Sequence, residues 1–201
     1  IDLVFRYNQL LTEINILTRN EQAVIDEITY FTDEEREAAL ERLGMLQGNM
    51  TLSSLKSRLQ TIMMNPYPTD AGSALTLLAQ LGISTNASGP GGGFDASRLR
   101  GYLEINEREL DAALQSELRA AKQLFGSDTD ADQVVDTGVA YEIDTLARPY
   151  VQVGGIIATR TGTIEGSISQ TQDRIERENE RLEDREVELR TDFGRMEGAL
   201  N

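Results

Sequence analysis

The chain has no cysteine, no histidine and no tryptophan among its 201 residues. Without thiols or imidazoles it offers no disulfide framework, Cys/His zinc site, thiol nucleophile or histidine-based triad, which removes much of enzymology. Aromatic residues make up 5% against 39% hydrophobic residues overall. That argues against a thick globular core and leaves seams of Leu and Ile between helices. Lysine is scarce too: Lys56 and Lys122 are two of 19 basic residues, and 34 acidic residues bring the net charge to -15. Such a charge repels phosphate backbones, and no basic stripe with interleaved aromatics offsets it, so no nucleic-acid partner is expected. No stretch approaches the roughly 18 apolar residues of a membrane span, so no membrane insertion is expected either. The chain begins at Ile1 without an initiator methionine, which reads as a fragment whose targeting signal would lie upstream. Absence of cysteine leaves the compartment open.

What is present is helical periodicity. From Asp2 to Thr18, Leu3, Tyr7, Leu10, Ile14 and Leu17 recur at spacings of four and three, with Val4 and Leu11 widening the face. Thr32 is the candidate N-cap of a short acidic helix with Gly44 and Gly48 as stops. A third helix is predicted from Thr51 to Met64, with Leu52, Leu55, Leu59 and Ile62 on one face, ended by Asn65-Pro66-Tyr67-Pro68. The two amphipathic helices supply the expected core of a small bundle. Leu81 to Ser84 and Gly101 to Ile105 read as two short strands on either side of a Gly-rich stretch, Ser88 to Gly93. Asn106 then caps a helix, a further turn or two ends in Leu124-Phe125-Gly126, and a helix from Asp132 to Arg148 is expected to stop or kink at Pro149.

From about Gly155 one helical pattern runs to the end. Its stripe is Ile157, Ile164, Ile168, Ile175, Leu182, Leu189 and Met196, mostly seven apart, interrupted by Glu178 and Arg185. One apolar knob per heptad is a thin coiled-coil seam, and a helix of that length needs partner helices to cover it. Gly154, Ala158, Gly162 and Gly166 fall four apart on one face, and since each mid-helix glycine costs about 1 kcal/mol relative to alanine, this reads as a close approach by a neighbouring helix, with local flexibility next to Pro149 as the alternative. The fold class is therefore mainly α: a helical bundle with a small two-stranded β element and a long C-terminal coiled-coil helix.

The motifs with a chemical look are weak. Ser53-Ser54-Leu55-Lys56 fits S-x-x-K, yet no S-D-N or K-T-G follows, and both residues read as surface positions of a helix. Asp128, Asp130 and Asp132 alternate like the start of a calcium loop, but Gln133 stands where glycine is needed and Val139 where a bidentate glutamate is needed, leaving an acidic helix-capping loop. Ser88 to Gly93 lacks the Lys-Ser or Lys-Thr of a phosphate loop and reads as a linker. Asn49-Met50-Thr51 and Asn86-Ala87-Ser88 fit the glycosylation pattern, which carries no weight outside a eukaryotic secretory context. No catalytic residue, cofactor or metal is expected.

The succession of pieces resembles the C-terminal part of the bacterial flagellar filament cap family, hook-associated protein 2. The resemblance rests on VFRYNQLLTEINILT, TLSSLKSRLQTIM, LAQLGIS, YLEINERELDAALQ, LRAAKQLFGSD and the closing GTIEGSISQTQDRIERENERLEDREVELRTDFGRMEGAL. It implies a non-catalytic protein exported through the flagellar channel, forming an oligomeric ring at the filament tip and promoting folding and polymerisation of flagellin. The implied partners are further copies of the chain, flagellin, the filament end and, at the C-terminal helix, a cytoplasmic export chaperone. The implied location is the filament tip, extracellular, or periplasmic where the flagellum is periplasmic. On this resemblance residues 1–70 are the returning half of a helical-bundle domain, 71–130 a small mixed α/β segment and 131–201 long helices ending in the terminal coiled coil. The alternatives are a surface adhesin and a coiled-coil tip or translocator protein of a related secretion system.

Overall fold

A computed structural model describes residues 1–85 and 100–200. The Gly-rich stretch and the Asn86 sequon lie outside the described residues. The chain forms two compact units, Ile1–Leu146 and Ala147–Asn201.

The first unit is organised around α1 (Asp2–Thr18). This helix is covered on more than one side. Val4, Tyr7, Leu11 and Ile14 are buried, and so are Thr12, Asn15 and Ile16. Ile16 joins Val24 and Ile25 of α2 (Ala23–Asp26), Ile28, and Ala39 of α3 (Asp33–Arg42) in one apolar cluster. Leu10, expected in the core, is instead 44% exposed. The stripe of spacing three and four marks one edge of the buried arc, whereas packing on two sides shifts its centre toward Leu11, Thr12 and Asn15.

Local chemistry sets the boundaries. Thr32 and Glu35 form a reciprocal capping box at the start of α3, and Ala39 is the one buried residue of that acidic helix. The turn that follows closes back on α1, with Gly44 N–H donating to Ile16 O at 2.8 Å and Leu46 N–H to Leu17 O at 2.7 Å. Two orphan carbonyls at the end of α1 are satisfied in this way. Asn49 caps α4 (Met50–Met64) by accepting from Thr51 and Leu52 N–H, and Asn65-Pro66 ends it. Leu59, Ile62 and Met63 of α4 are buried, with Leu52 and Leu55 half-buried.

Beyond α4 the chain turns through Tyr67, Leu75, Leu78 and Leu81, all buried. Tyr67 N–H donates to Thr76 O at 2.8 Å. Gly82 has φ +74, and a Cβ there would lie 2.8 Å from both Asn106 O and Glu109 Cβ. Only glycine fits that crossing. β1 (Ile83–Ser84) and β2 (Glu104–Ile105) pair antiparallel with Ile83 opposite Ile105. Asn106 then caps α5 (Glu107–Ser116), and α6 (Leu118–Phe125) buries Ala120, Ala121 and Leu124.

The helix predicted from Asp132 begins later. α7 runs Val139–Val151, and residues 128–136 form a loop tied by a bridge between Ser127 and Thr137. The carboxylates there accept from loop N–H groups rather than start a helix: Asp128 takes Ala131 and Gln133 N–H, both at 2.7 Å. Pro149 lies inside α7, two residues before its end, and does not terminate it.

In the second unit a turn comes at Gly154, with φ +73, and the buried Gly155, where a Cβ would lie 2.6 Å from Pro149 O. α8 follows as one helix, Ile156–Leu200, of 45 residues. Gly154 therefore stands before the helix rather than on its small-residue face. The length is about 67 Å at 1.5 Å per residue.

Candidate assembly interface

The first third of α8, with Thr159, Gly162, Thr163, Gly166, Ser167 and Thr171, is poor in helix formers. Thr163, Ser167 and Thr171 each return a hydroxyl bond to the carbonyl four residues back, which weakens rather than supports the ladder. The last two-thirds is charged. Glu178 pairs with Arg181, Arg185 with Glu188 and Asp192 with Arg195, all three residues apart and all with more than half of each side chain exposed. Exposed pairs of this kind supply only a few tenths of a kcal/mol each.

The predicted seam residues are all solvent-facing. Ile157, Ile164, Ile168, Ile175, Leu182, Leu189 and Met196 range from 42% exposed at Leu189 to 66% at Leu182. Phe193 belongs with them, four residues after Leu189 and three before Met196, and is equally bare. A search for sevenfold spacing passes over it; the three-and-four rule finds it. A Cβ added at Gly162 or Gly166 meets nothing within 4 Å. The apolar side chains share one stripe of α8, whereas Gly162 and Gly166 lie on the far side of the same helix, and among the described residues nothing covers the stripe.

Of the predicted core residues Tyr7, Ile14, Leu59 and Ile62 are buried, Leu3, Leu17, Leu52 and Leu55 half-buried and Leu10 exposed, and beside them lies a polar clamp that sequence reasoning missed. Asn8 brackets Leu103, donating to its carbonyl at 2.9 Å and accepting from its N–H at 2.8 Å. Tyr7 OH donates to Gly101 O at 3.3 Å. Arg100, with 4% of its side chain exposed, bonds to the Glu27 carboxylate and to Ala23 O. The fully buried Asn15 donates to Tyr102 OH at 3.2 Å and accepts from Lys56 Nζ at 2.6 Å. Lys56 is thus half-buried, not the routine surface residue its S-x-x-K setting implied, while Ser53 remains exposed. Burial first, then the Arg19 and Arg100 charges, lower the Lys56 ammonium from 10.5 to about 8.

The acidic loop gathers Asp128, Asp130 and Asp136, with one carboxylate oxygen of each within 4.8 Å of the others. Asp132 is replaced by Asp136 in that grouping. Thr129 N–H and Oγ1 both donate to Asp136, and Asp128 is used by Ala131 and Gln133, so the carboxylates hold the turn itself.

Helices packed around α1 and a 45-residue helix whose apolar stripe is bare define a mainly α-helical protein with a two-stranded sheet. The family model described as flagellar hook-associated protein 2 C-terminus matches residues 1–201. The chain belongs to that family. It is similar to flagellar hook-associated protein 2 of Treponema maltophilum, 48% identical over 177 residues, covering 88% of this chain and 26% of the relative. The protein of the same name from Treponema pallidum (strain Nichols) is 42% identical over 172 residues, covering 86% and 24%. The chain thus spans about a quarter of the length of these curated relatives. A crystal structure of the Escherichia coli flagellar cap protein, comprising its D1-D2-D3 domains, aligns with a TM-score of 0.45 and 24% identity over 71% of this chain and 32% of that one.

Proposed function

We infer that this chain is the C-terminal part of a structural cap at the distal end of the bacterial flagellar filament. In this reading it works within an oligomeric ring that promotes the folding and polymerisation of flagellin. The observation that carries the reading, beside family membership, is the uncovered stripe of α8. Seven aliphatic side chains and Phe193 along about 67 Å of helix fit docking between helices far better than any small-molecule site.

The stripe docks against other helices of the same full-length molecule, neighbouring cap subunits or the filament end, and the first unit holds the hub from which α1 and α4 present their outer faces. Export places the protein at the filament tip, outside the cell or in the periplasm where the flagellum is periplasmic. A cytoplasmic export chaperone shields α8 before secretion. The mechanism is mechanical: the cap holds a confined space at the growing end, and no bond is made or broken.

The test is complementation of a strain lacking the full-length protein. Wild type restores filaments; Ile175→Asp with Leu182→Asp leaves cells without filaments and releases unpolymerised flagellin into the medium. Normal filaments in that variant overturn the docking role.

A further inference from the structure

The acidic character of the chain is locally reversed. α4 carries no Asp or Glu, and its residues Ser53, Lys56, Ser57 and Gln60 follow the three-and-four rule along one face. Together with Thr18 and Arg19 at the end of α1 they line a shallow pocket of about 430 Å³. Every one of these side chains carries a hydrogen-bond donor, and two are cations.

The hydroxyl of Thr18 is committed to Ile14 O at 2.6 Å, and the Gln60 amide to Arg100 O at 3.4 Å. Lys56 Nζ has three donors, of which Asn15 Oδ1 takes one. No carboxylate pairs with Lys56 among the described residues. Glu27 is engaged by Arg100, and Glu21 lies 3.7 Å from Arg19 in an exposed pair with which a bound anion would compete.

We propose that this pocket is a binding site for a small oxyanion, a carboxylate or a phosphate, held by Lys56 and Arg19 with the hydroxyls of Ser53 and Ser57. Fixing Lys56 through the fully buried Asn15 pre-sets its head, so the anion meets an oriented donor rather than a mobile surface lysine. Burial chiefly, and then the charges of Arg19 and Arg100, hold the Lys56 ammonium down at about 8. An anion seated between Lys56 and Arg19 supplies the missing countercharge and raises it again. The Ser-x-x-Lys spacing thus serves anion capture, not nucleophilic attack.

The experiment compares acylation of Lys56 with acylation of Lys122, the exposed lysine of α6, by peptide mass spectrometry on the full chain at pH 8. In chloride buffer Lys56 reacts faster, because about half of its amines are uncharged. Inorganic phosphate or acetate at matched ionic strength slows Lys56 about fivefold if its pKa rises by about one unit, and leaves Lys122 unchanged. A response to phosphate alone identifies a dianion site, and an equal response to acetate identifies a carboxylate site. Arg19→Gln abolishes the slowing while Arg19→Lys keeps it. If neither anion changes the Lys56 rate, or if chloride changes it as much, the proposal is overturned; that outcome leaves the docking role of α8 untouched.

Discussion

Replacing Ile175 and Leu182 of α8 by aspartate separates folding from assembly. Both side chains are already wet, 55% and 66% exposed, so within the chain alone little is lost. Helix propensity changes by a few tenths of a kcal/mol per site. Docking is another matter. Covering the remaining exposed part of each side chain contributes about 1 to 1.5 kcal/mol. An aspartate in the same place adds roughly 2 kcal/mol for a charge desolvated without a partner. The two sites together cost about 6 to 7 kcal/mol, or between four and five orders of magnitude in affinity. Val187→Asp is the matched control: it is 65% exposed, but lies five residues after Leu182, about 140° round the helix. Circular dichroism and thermal midpoint are expected to be nearly unchanged in both proteins. Oligomer formation by the full-length protein, followed by analytical ultracentrifugation, is lost in the double variant and kept in the control. Equal loss in the control, or normal oligomers in the double variant, refutes the stripe.

The remaining predictions concern the first unit and the glycines. Arg100→Met removes the bonds to Ala23 O and Glu27 and lowers stability by about 2 to 3 kcal/mol, because a carboxylate only partly reached by water is left unpaired; the urea midpoint falls at constant m value. Lys56 loses its proton near pH 8 in the folded chain but near 10.5 when unfolded, so between those values the unfolded state binds more protons and stability rises with pH. The full difference is worth about 3 kcal/mol, which solvent screening of a half-exposed ammonium reduces to about 1 kcal/mol. The rise, read by urea titration below pH 10 and absent in Lys56→Met, is confined to that window because the phenol of Tyr7, pushed up by burial, destabilises the fold as pH climbs further. Gly162→Ala with Gly166→Ala raises the helicity of the free chain, worth about 1 kcal/mol per site, and weakens assembly by crowding a closely approaching helix; unchanged assembly rules out that approach.

The elements most legible in the sequence are those whose ends carry their own chemistry. Thr32, Asn106 and the Asn65-Pro66-Tyr67-Pro68 stop mark boundaries that the structure keeps within a residue or so, whereas Asn49, read only as part of a sequon, proves to be the cap of α4. The strand pair was legible because Leu81 to Ser84 and Gly101 to Ile105 are short apolar runs on either side of a loop, although pairing is confined to two residues in each. Asp132 misled because an acid ahead of an apolar run looks like a first helical turn. Short acidic side chains also accept from nearby N–H groups, and in residues 128–136 that competing use wins. Leu10 misled because periodicity identifies an arc, while the packing on either side of α1 decides which part of it is covered. Lys56 and Arg100 carry no sequence signal of burial at all, since long cationic side chains are ordinarily solvated. Their places depend on Asn15 of α1, 41 residues from Lys56, which also bonds to Tyr102, and on Glu27 just after α2, 73 residues from Arg100.

The thin seam of α8 contains its own account of what can cover it. A sevenfold repeat on a straight helix drifts by about 20° per heptad, so from Ile168 to Met196 the stripe wanders about 80° round the axis. A flat surface would meet only part of it. A helix that winds with α8 in a left-handed supercoil can follow the whole length, one knob per heptad. Glu178, Arg185 and Asp192, which fall where further knobs would complete the seam, each pair with a residue three positions on. Those pairs let the charged side chains fold back along α8 instead of demanding countercharges from the partner. Binding then rests on the register of the apolar knobs, with Leu189, Phe193 and Met196 the densest group. A stripe of this kind is too weak to close on one turn of contact and gains strength with every heptad added. In the proposed docking role that favours engagement along the length of α8 over a local plug.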